Sequence, residues 1–163
     1  MRSCACMAAL RQARMNFTSH MTLALEQARA AAQRGEVPVG AVVTDPQGRV
    51  VAAEGNRTRE LSDPTAHAEI LAIRSACAAL GSERLPGYHL WVTLEPCPMC
   101  AAAISAARIA TLYYGAGDPR MGGVAHGARV FDHPQCHHRP IVYDGIAAAP
   151  SRDLLQHFFK ARR

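Results

Sequence analysis

The chain has 163 residues, 49% of them hydrophobic, with a formal net charge of +5 and a pI of about 9.1. That length and apolar content suit one compact domain with a buried core, and no apolar run is long enough to suggest a membrane span. The basic balance is compatible with a polyanionic partner such as nucleic acid, although basic charge alone does not select one.

Residues 1–17 contain Arg2, Arg11, Arg14, Cys4 and Cys6 and no acidic side chain. They read as a poorly ordered N-terminal extension, acid-poor and arginine-bearing as targeting segments are, with Met15 or Met21 as alternative starts. Residues 18–163 read as a single domain. The six cysteines are Cys4, Cys6, Cys77, Cys97, Cys100 and Cys136. With no secretory signal evident, a disulfide framework is not expected, and Cys97-Pro98-Met99-Cys100 points to metal or redox chemistry.

In chain order, "TSHMTLALEQARAAAQRG" places Met21, Leu25, Ala28 and Ala32 on one helical stripe. Thr18 or Ser19 is available to cap that helix and Gly35 to stop it. "VPVGAVVTD" and "RVVAAEGN" are strands joined by the turn Asp45-Pro46-Gln47-Gly48, hence a hairpin. From Ala66 to Leu80 the pattern is helical, with Ile70, Ile73, Cys77 and Leu80 on one stripe and Gly81 after it. "YHLWVTL" is a strand, and "PMCAAAISAAR" an alanine-rich helix beginning at the second cysteine. "IATLYYG" is another strand, followed by a Gly-rich stretch from Gly115 to Pro140. "PIVYDGI" reads as an edge strand. "SRDLLQHFFKARR" closes the chain as an amphipathic helix on Leu154, Leu155, Phe158 and Phe159. The alternation predicts an α/β fold with a mixed sheet of about five strands and helices on both faces.

His67 and Glu69 stand two positions apart in "PTAHAE", at a helix start. Cys97 and Cys100 stand three apart at another, a spacing that turns both sulfurs toward one point. A helix N-terminus lowers thiol pKa values and favours metal-binding thiolates. Two thiolates and the His67 imidazole suit Zn2+ and leave one tetrahedral position open. Glu69 is then near enough to handle the proton of a water without being a ligand itself. The pattern H-x-E…P-C-x-x-C is the signature of zinc deaminases acting on nucleobases. Against this, a lone C-x-x-C also fits a redox pair or half of a structural zinc site. His133, Cys136, His137 and His138 offer a second metal cluster or plain loop polarity. His20, His89 and His157 read as ordinary surface or core histidines, and Cys77 as packing.

"VPVGAVV", "GNR", "DPTAHAEI", "VTLEPCPMCAAAI" and "FFKARR" resemble the bacterial tRNA-specific adenosine deaminases, a branch of the cytidine deaminase-like zinc hydrolases. The resemblance runs from about Thr18 to the C-terminus. It implies a three-layer α/β/α sandwich, one Zn2+ per subunit, a cytoplasmic homodimer, and conversion of the wobble adenosine of an arginine tRNA anticodon loop to inosine with release of ammonia. It also implies Glu69 as the catalytic acid–base and His67, Cys97 and Cys100 as zinc ligands. Asn56 and the backbone of Ala68 fall on base contacts, and Asp118 on a loop that holds the anticodon. Phe158, Phe159, Arg162 and Arg163 fall near the RNA. The chain departs from the family pattern at Gly117, where a basic side chain is usual, and at Arg120-Met121, where a lysine-threonine pair is usual. A deaminase of a free nucleobase, nucleoside or nucleotide would carry the same centre, and a non-catalytic RNA-binding or zinc-stabilised scaffold is the reading from a different class.

Overall fold

A computed structural model describes residues 17–162. The expected extension, apart from Phe17, and Arg163, expected near the RNA, lie outside the described residues. The elements are α1 (Met21–Gln33), β1 (Gly40–Thr44), β2 (Val50–Gly55), α2 (Ala68–Leu80) and β3 (His89–Leu94). Then come α3 (Pro98–Ala106), β4 (Thr111–Ala116), a 3-10 turn (Val130–Asp132), β5 (Ile141–Tyr143) and α4 (Ala148–Lys160).

The five strands form one mixed sheet in the order β2-β1-β3-β4-β5. β1 pairs antiparallel with β2 and β3, whereas β3–β4 and β4–β5 are parallel. A parallel pair requires a crossover, which α3 supplies between β3 and β4. "PIVYDGI" is the sheet edge it was expected to be, with Ile141, Val142 and Tyr143 all exposed.

Period-2 alternation sorts the core into two faces. Ala41, Val43, Leu90, Val92, Leu112 and Tyr114 pack with Ala72 and Ile73 of α2 and with Ala101 and Ile104 of α3. Val42 and Trp91 point the other way and meet Met21, Ala24 and Leu25 of α1. α4 lies on that second face, where Gly115 of β4 abuts the Ser151 hydroxyl. Helices thus cover both sides of the sheet, as the expected three-layer sandwich requires. At Gly40 the backbone of α1 comes so close that any Cβ would strike Ala24 O and Ala28 N, so only glycine permits the contact.

Several element ends differ from the sequence expectation. His20, not Thr18 or Ser19, occupies the α1 cap position, and the Ser19 hydroxyl accepts the Met21 N–H at 3.3 Å. α2 begins at Ala68 rather than Ala66, because His67 is extended (φ −72°, ψ 152°). α3 begins at Pro98 rather than at the second cysteine, since proline at the first helical position needs no N–H partner. α4 begins at Ala148, three residues ahead of "SRDLL", for the same tolerance of Pro150 in a first turn. Its apolar stripe is narrower than expected: Phe158 is buried, while Phe159 is 51% exposed.

Candidate active site

Two helix starts meet above the carboxyl ends of β2 and β3, beside the amino end of β1. His67 is the residue before α2 and Cys97 the residue before α3, both with extended backbone, while Cys100 completes the first turn of α3. The extended cap residues turn their side chains across the helix mouths toward each other. Cys97 Sγ lies 3.7 Å and Cys100 Sγ 3.5 Å from His67 Nδ1. The three ligand atoms all lie within 4.8 Å of one another.

One imidazole and two thiols at that separation fit a tetrahedral zinc with three protein donors and a fourth position left for water or substrate. The three groups share protons through one another. The hydrogen bond from Cys100 holds the Cys97 thiol down to about 4, with His67 assisting against the opposing effect of burial. The same bond, together with burial, pushes Cys100 up. Hydrogen bonding to Cys97 raises the His67 imidazole.

Glu69, in the first turn of α2, is 4% exposed. Burial pushes its carboxyl up to about 7, against the lowering influence of its own backbone N–H and of His67. A carboxyl whose affinity for protons lies near neutrality can both take and return one at physiological pH.

His67, Glu69 and Cys97 form the floor of a cavity of about 260 Å³. Val37, Val39, Leu94 and Met121 give it apolar sides, and Asn56, Thr58 and Asp118 give it polar ones. Asn56 Oδ1 accepts the Ala68 N–H at 2.8 Å, which joins the two expected base-contacting residues to each other. Asp118 Oδ1 accepts the N–H groups of Arg120 and Met121 at 3.0 and 3.1 Å, shaping its own loop.

The family model for the cytidine and deoxycytidylate deaminase zinc-binding region matches residues 14–116, more than half of the chain. A tRNA-specific adenosine deaminase of Agrobacterium fabrum is 60% identical over 146 residues, covering 90% of this chain and 95% of that protein. The chain belongs to the tRNA-specific adenosine deaminase family. A second tRNA-specific adenosine deaminase, of Rickettsia bellii, is 44% identical over 144 residues, covering 88% of this chain and 99% of its own. A solved structure from a study of A-to-I editing by tRNA deaminases at the wobble position of transfer RNA is 62% identical. It superposes with a TM-score of 0.81 over 83% of this chain and 97% of its own.

The structure of this tRNA-specific adenosine deaminase family member brings Asn56, His67, Ala68, Glu69, Cys97, Cys100 and Asp118 together. Phe158, Phe159 and Arg162 do not line the cavity. Arg162 sits over the Phe158 ring, 3.6 Å from its centroid, and donates to Gly35 O at 3.2 Å. It thereby reaches the turn that leads into Val37 of the cavity wall. Phe159 lines a separate surface hollow with Arg152 and Lys160. The His133, Cys136, His137 and His138 cluster does not converge on a metal position among the described residues. Instead Cys136 Sγ donates to His138 O at 3.1 Å, and the His138 ring meets Ile109 O at 2.6 Å. Cys77, Cys97, Cys100 and Cys136 are all free thiols, so none of them forms a disulfide.

Two residues of the site escape sequence reasoning. Glu36 and Glu95 are buried carboxylates that hold the loops around the cavity mouth. An acidic side chain directly ending an apolar strand, as in "VTLEPC", is the one signal that marks Glu95.

Proposed function

We propose that the chain deaminates the wobble adenosine of a tRNA anticodon loop to inosine with release of ammonia, an arginine tRNA being its substrate. The observation that carries this reading is the buried Glu69 carboxylate beside the converging His67, Cys97 and Cys100 at the floor of a base-sized cavity. Near-full-length identity with relatives named for tRNA adenosine supports the choice of substrate.

Zinc held by His67 Nδ1, Cys97 Sγ and Cys100 Sγ would supply the Lewis acidity that makes water a nucleophile near neutral pH. Glu69 takes a proton from the attacking water as its oxygen adds to C6 of adenine. The same carboxyl gives a proton to N1, and then helps protonate the amino group that leaves as ammonia. Because Oδ1 of Asn56 is taken by Ala68, its amino group is the end left to meet an acceptor nitrogen of the base. Val37, Val39 and Leu94 enclose the ring and keep bulk water away from it. A base within a duplex stack could not enter, so the substrate is an unpaired loop nucleotide.

Beyond the floor of the cavity, the Asp118 loop at its mouth and the tail residues Phe158, Phe159, Arg162 and Arg163 are the proposed contacts to the anticodon stem-loop. A formal charge of +5 favours such a polyanion. The working form is proposed to be a cytoplasmic homodimer in which residues 18–163 act as one domain with one zinc per subunit. No helix among the described residues is long and apolar enough to cross a membrane.

The test is ammonia release from an anticodon stem-loop carrying the wobble adenosine, set beside release from free adenosine, adenine, guanine, cytosine and cytidine. Turnover of the stem-loop alone is expected. Turnover of a free base or nucleoside alone overturns the tRNA assignment.

A further inference from the structure

Glu95 directly follows β3, immediately before the Pro96-Cys97 corner, and is 2% exposed. A carboxylate so enclosed must be compensated by hydrogen bonds or an opposite charge. Its compensation comes from one loop. The N–H groups of Val124, Ala125 and His126 donate to Oε1 at 3.2, 2.9 and 2.9 Å. Consecutive N–H groups pointing at one oxygen form an anion-binding nest, here filled by a side chain of the same chain. The Asp118 N–H donates to Oε2 at 2.9 Å, and the His126 ring Nδ1 lies 2.6 Å from the same oxygen. Both ends of the 118–126 loop are therefore tied to one carboxylate.

One further contact binds the loop to the same corner, and another closes a turn within the loop. Gly123 N–H donates to Pro96 O at 2.8 Å, and Gly122 N–H donates to Asp118 O at 2.9 Å. The fit leaves no spare room. A Cβ at Gly122 would lie 2.5 Å from Glu95 Oε1 and from Asp118 O. The face that the loop turns to the cavity consists of Asp118 and Met121, and Met121 is a 66% exposed apolar side chain. Such a polarizable side chain at the mouth is a ready platform for a nucleobase next to the reacting one.

The geometry points to Glu95 as the positioning residue that sets the substrate-facing wall, holding Asp118 and Met121 in place while touching neither substrate nor metal. One corner segment thus serves two purposes. The Cys97 thiol faces the metal position, and the Glu95 side chain holds the loop that meets the RNA. The choice of substrate here rests on the reading proposed above, but the holding of the loop does not.

The experiment compares zinc-loaded wild type with Glu95→Gln, which keeps the shape but turns one acceptor oxygen into an amide donor facing N–H groups. Amide hydrogen exchange is read without substrate, and KM and kcat are read on the anticodon stem-loop. In Glu95→Gln the amides of Asp118, Val124, Ala125 and His126 should exchange about tenfold or more faster, with those of α2 and α3 unchanged. Zinc content should hold, and KM should rise about tenfold with kcat little changed, the mark of lost binding rather than lost chemistry. Should Glu95→Gln fail to fold or to hold zinc, Gly122→Ala carries the test, because it displaces the loop while leaving the carboxylate intact. Wild-type loop protection and KM in the folded variant overturn the inference. If wild type does not turn over the stem-loop, the substrate reading fails, and the exchange data still decide the role of Glu95.

Discussion

The floor of the cavity and its walls are built by different physics. His67, Glu69, Cys97 and Cys100, at the floor, come from two helix starts, two as extended caps and two in the first turns. The walls are irregular loops, each attached to a buried carboxylate. Glu36 accepts the N–H groups of Arg59 and Glu60 at 3.0 and 2.9 Å and the Thr58 hydroxyl at 3.1 Å. Glu95 does the same for the 118–126 loop. The proposed chemistry sits at helix mouths, and the proposed recognition sits where a single anion organises irregular backbone. Floor and walls should therefore fail separately.

The largest effect is expected from the floor. Removing zinc with a chelator, or replacing Cys100 with alanine, should abolish inosine formation, with metal analysis showing loss of the ion and only the chelated wild type recovering when zinc is restored. Glu69→Ala should come next, lowering kcat/KM by about 100- to 10,000-fold while the zinc content measured by metal analysis stays unchanged. Full activity with zinc retained would remove Glu69 from the chemistry.

Asn56→Ala probes the join between floor and wall. It strands the buried Ala68 N–H and should cost about 1–3 kcal/mol of stability, read from urea unfolding. It should also raise KM for the stem-loop about tenfold, as the base loses one hydrogen bond.

The smallest and most selective effect concerns the Glu36 wall. Burial alone would raise the Glu36 carboxyl, but the bonds from Glu60, Arg59 and Thr58 outweigh it and hold the group below its ordinary value of 4.5. A carboxyl lowered in the folded state contributes stability in full above its unfolded value and loses it as pH falls through the folded one. Wild type should therefore lose stability on acidification below 4.5, and Glu36→Gln, weaker at neutral pH, should show a shallower acid limb in urea midpoints. An unchanged acid limb would mean that this wall does not depend on the Glu36 charge. Zinc binding should be untouched in either case.

Much of this molecule could be read from short stretches of sequence. Helix stripes, the Asp45–Gly48 turn and the β5 edge are signalled by neighbours a few residues apart, and so were readable in place. The residues that converge at the candidate site were readable too, because His67 with Glu69 and Cys97 with Cys100 each form a local pair at a helix start. Side-chain burial on α4 was less legible: Phe158 and Phe159 look alike in sequence, and only the position of the helix against β4 turns one inward. "HPQCHH" looked like a possible metal cluster, but the path of the chain turns Cys136 toward Ser105 and His138 instead. Glu36 and Glu95 lay beyond local reading for the same reason. Their partners are 22 to 31 residues away, and it is the folding of the loops back onto the sheet ends that brings acceptor and donors together. The sequence by itself determined the elements and the reactive groups, because both are written in local spacing. Only the tertiary structure decided what holds the walls, because a buried carboxylate takes its meaning from the N–H groups that the fold delivers to it.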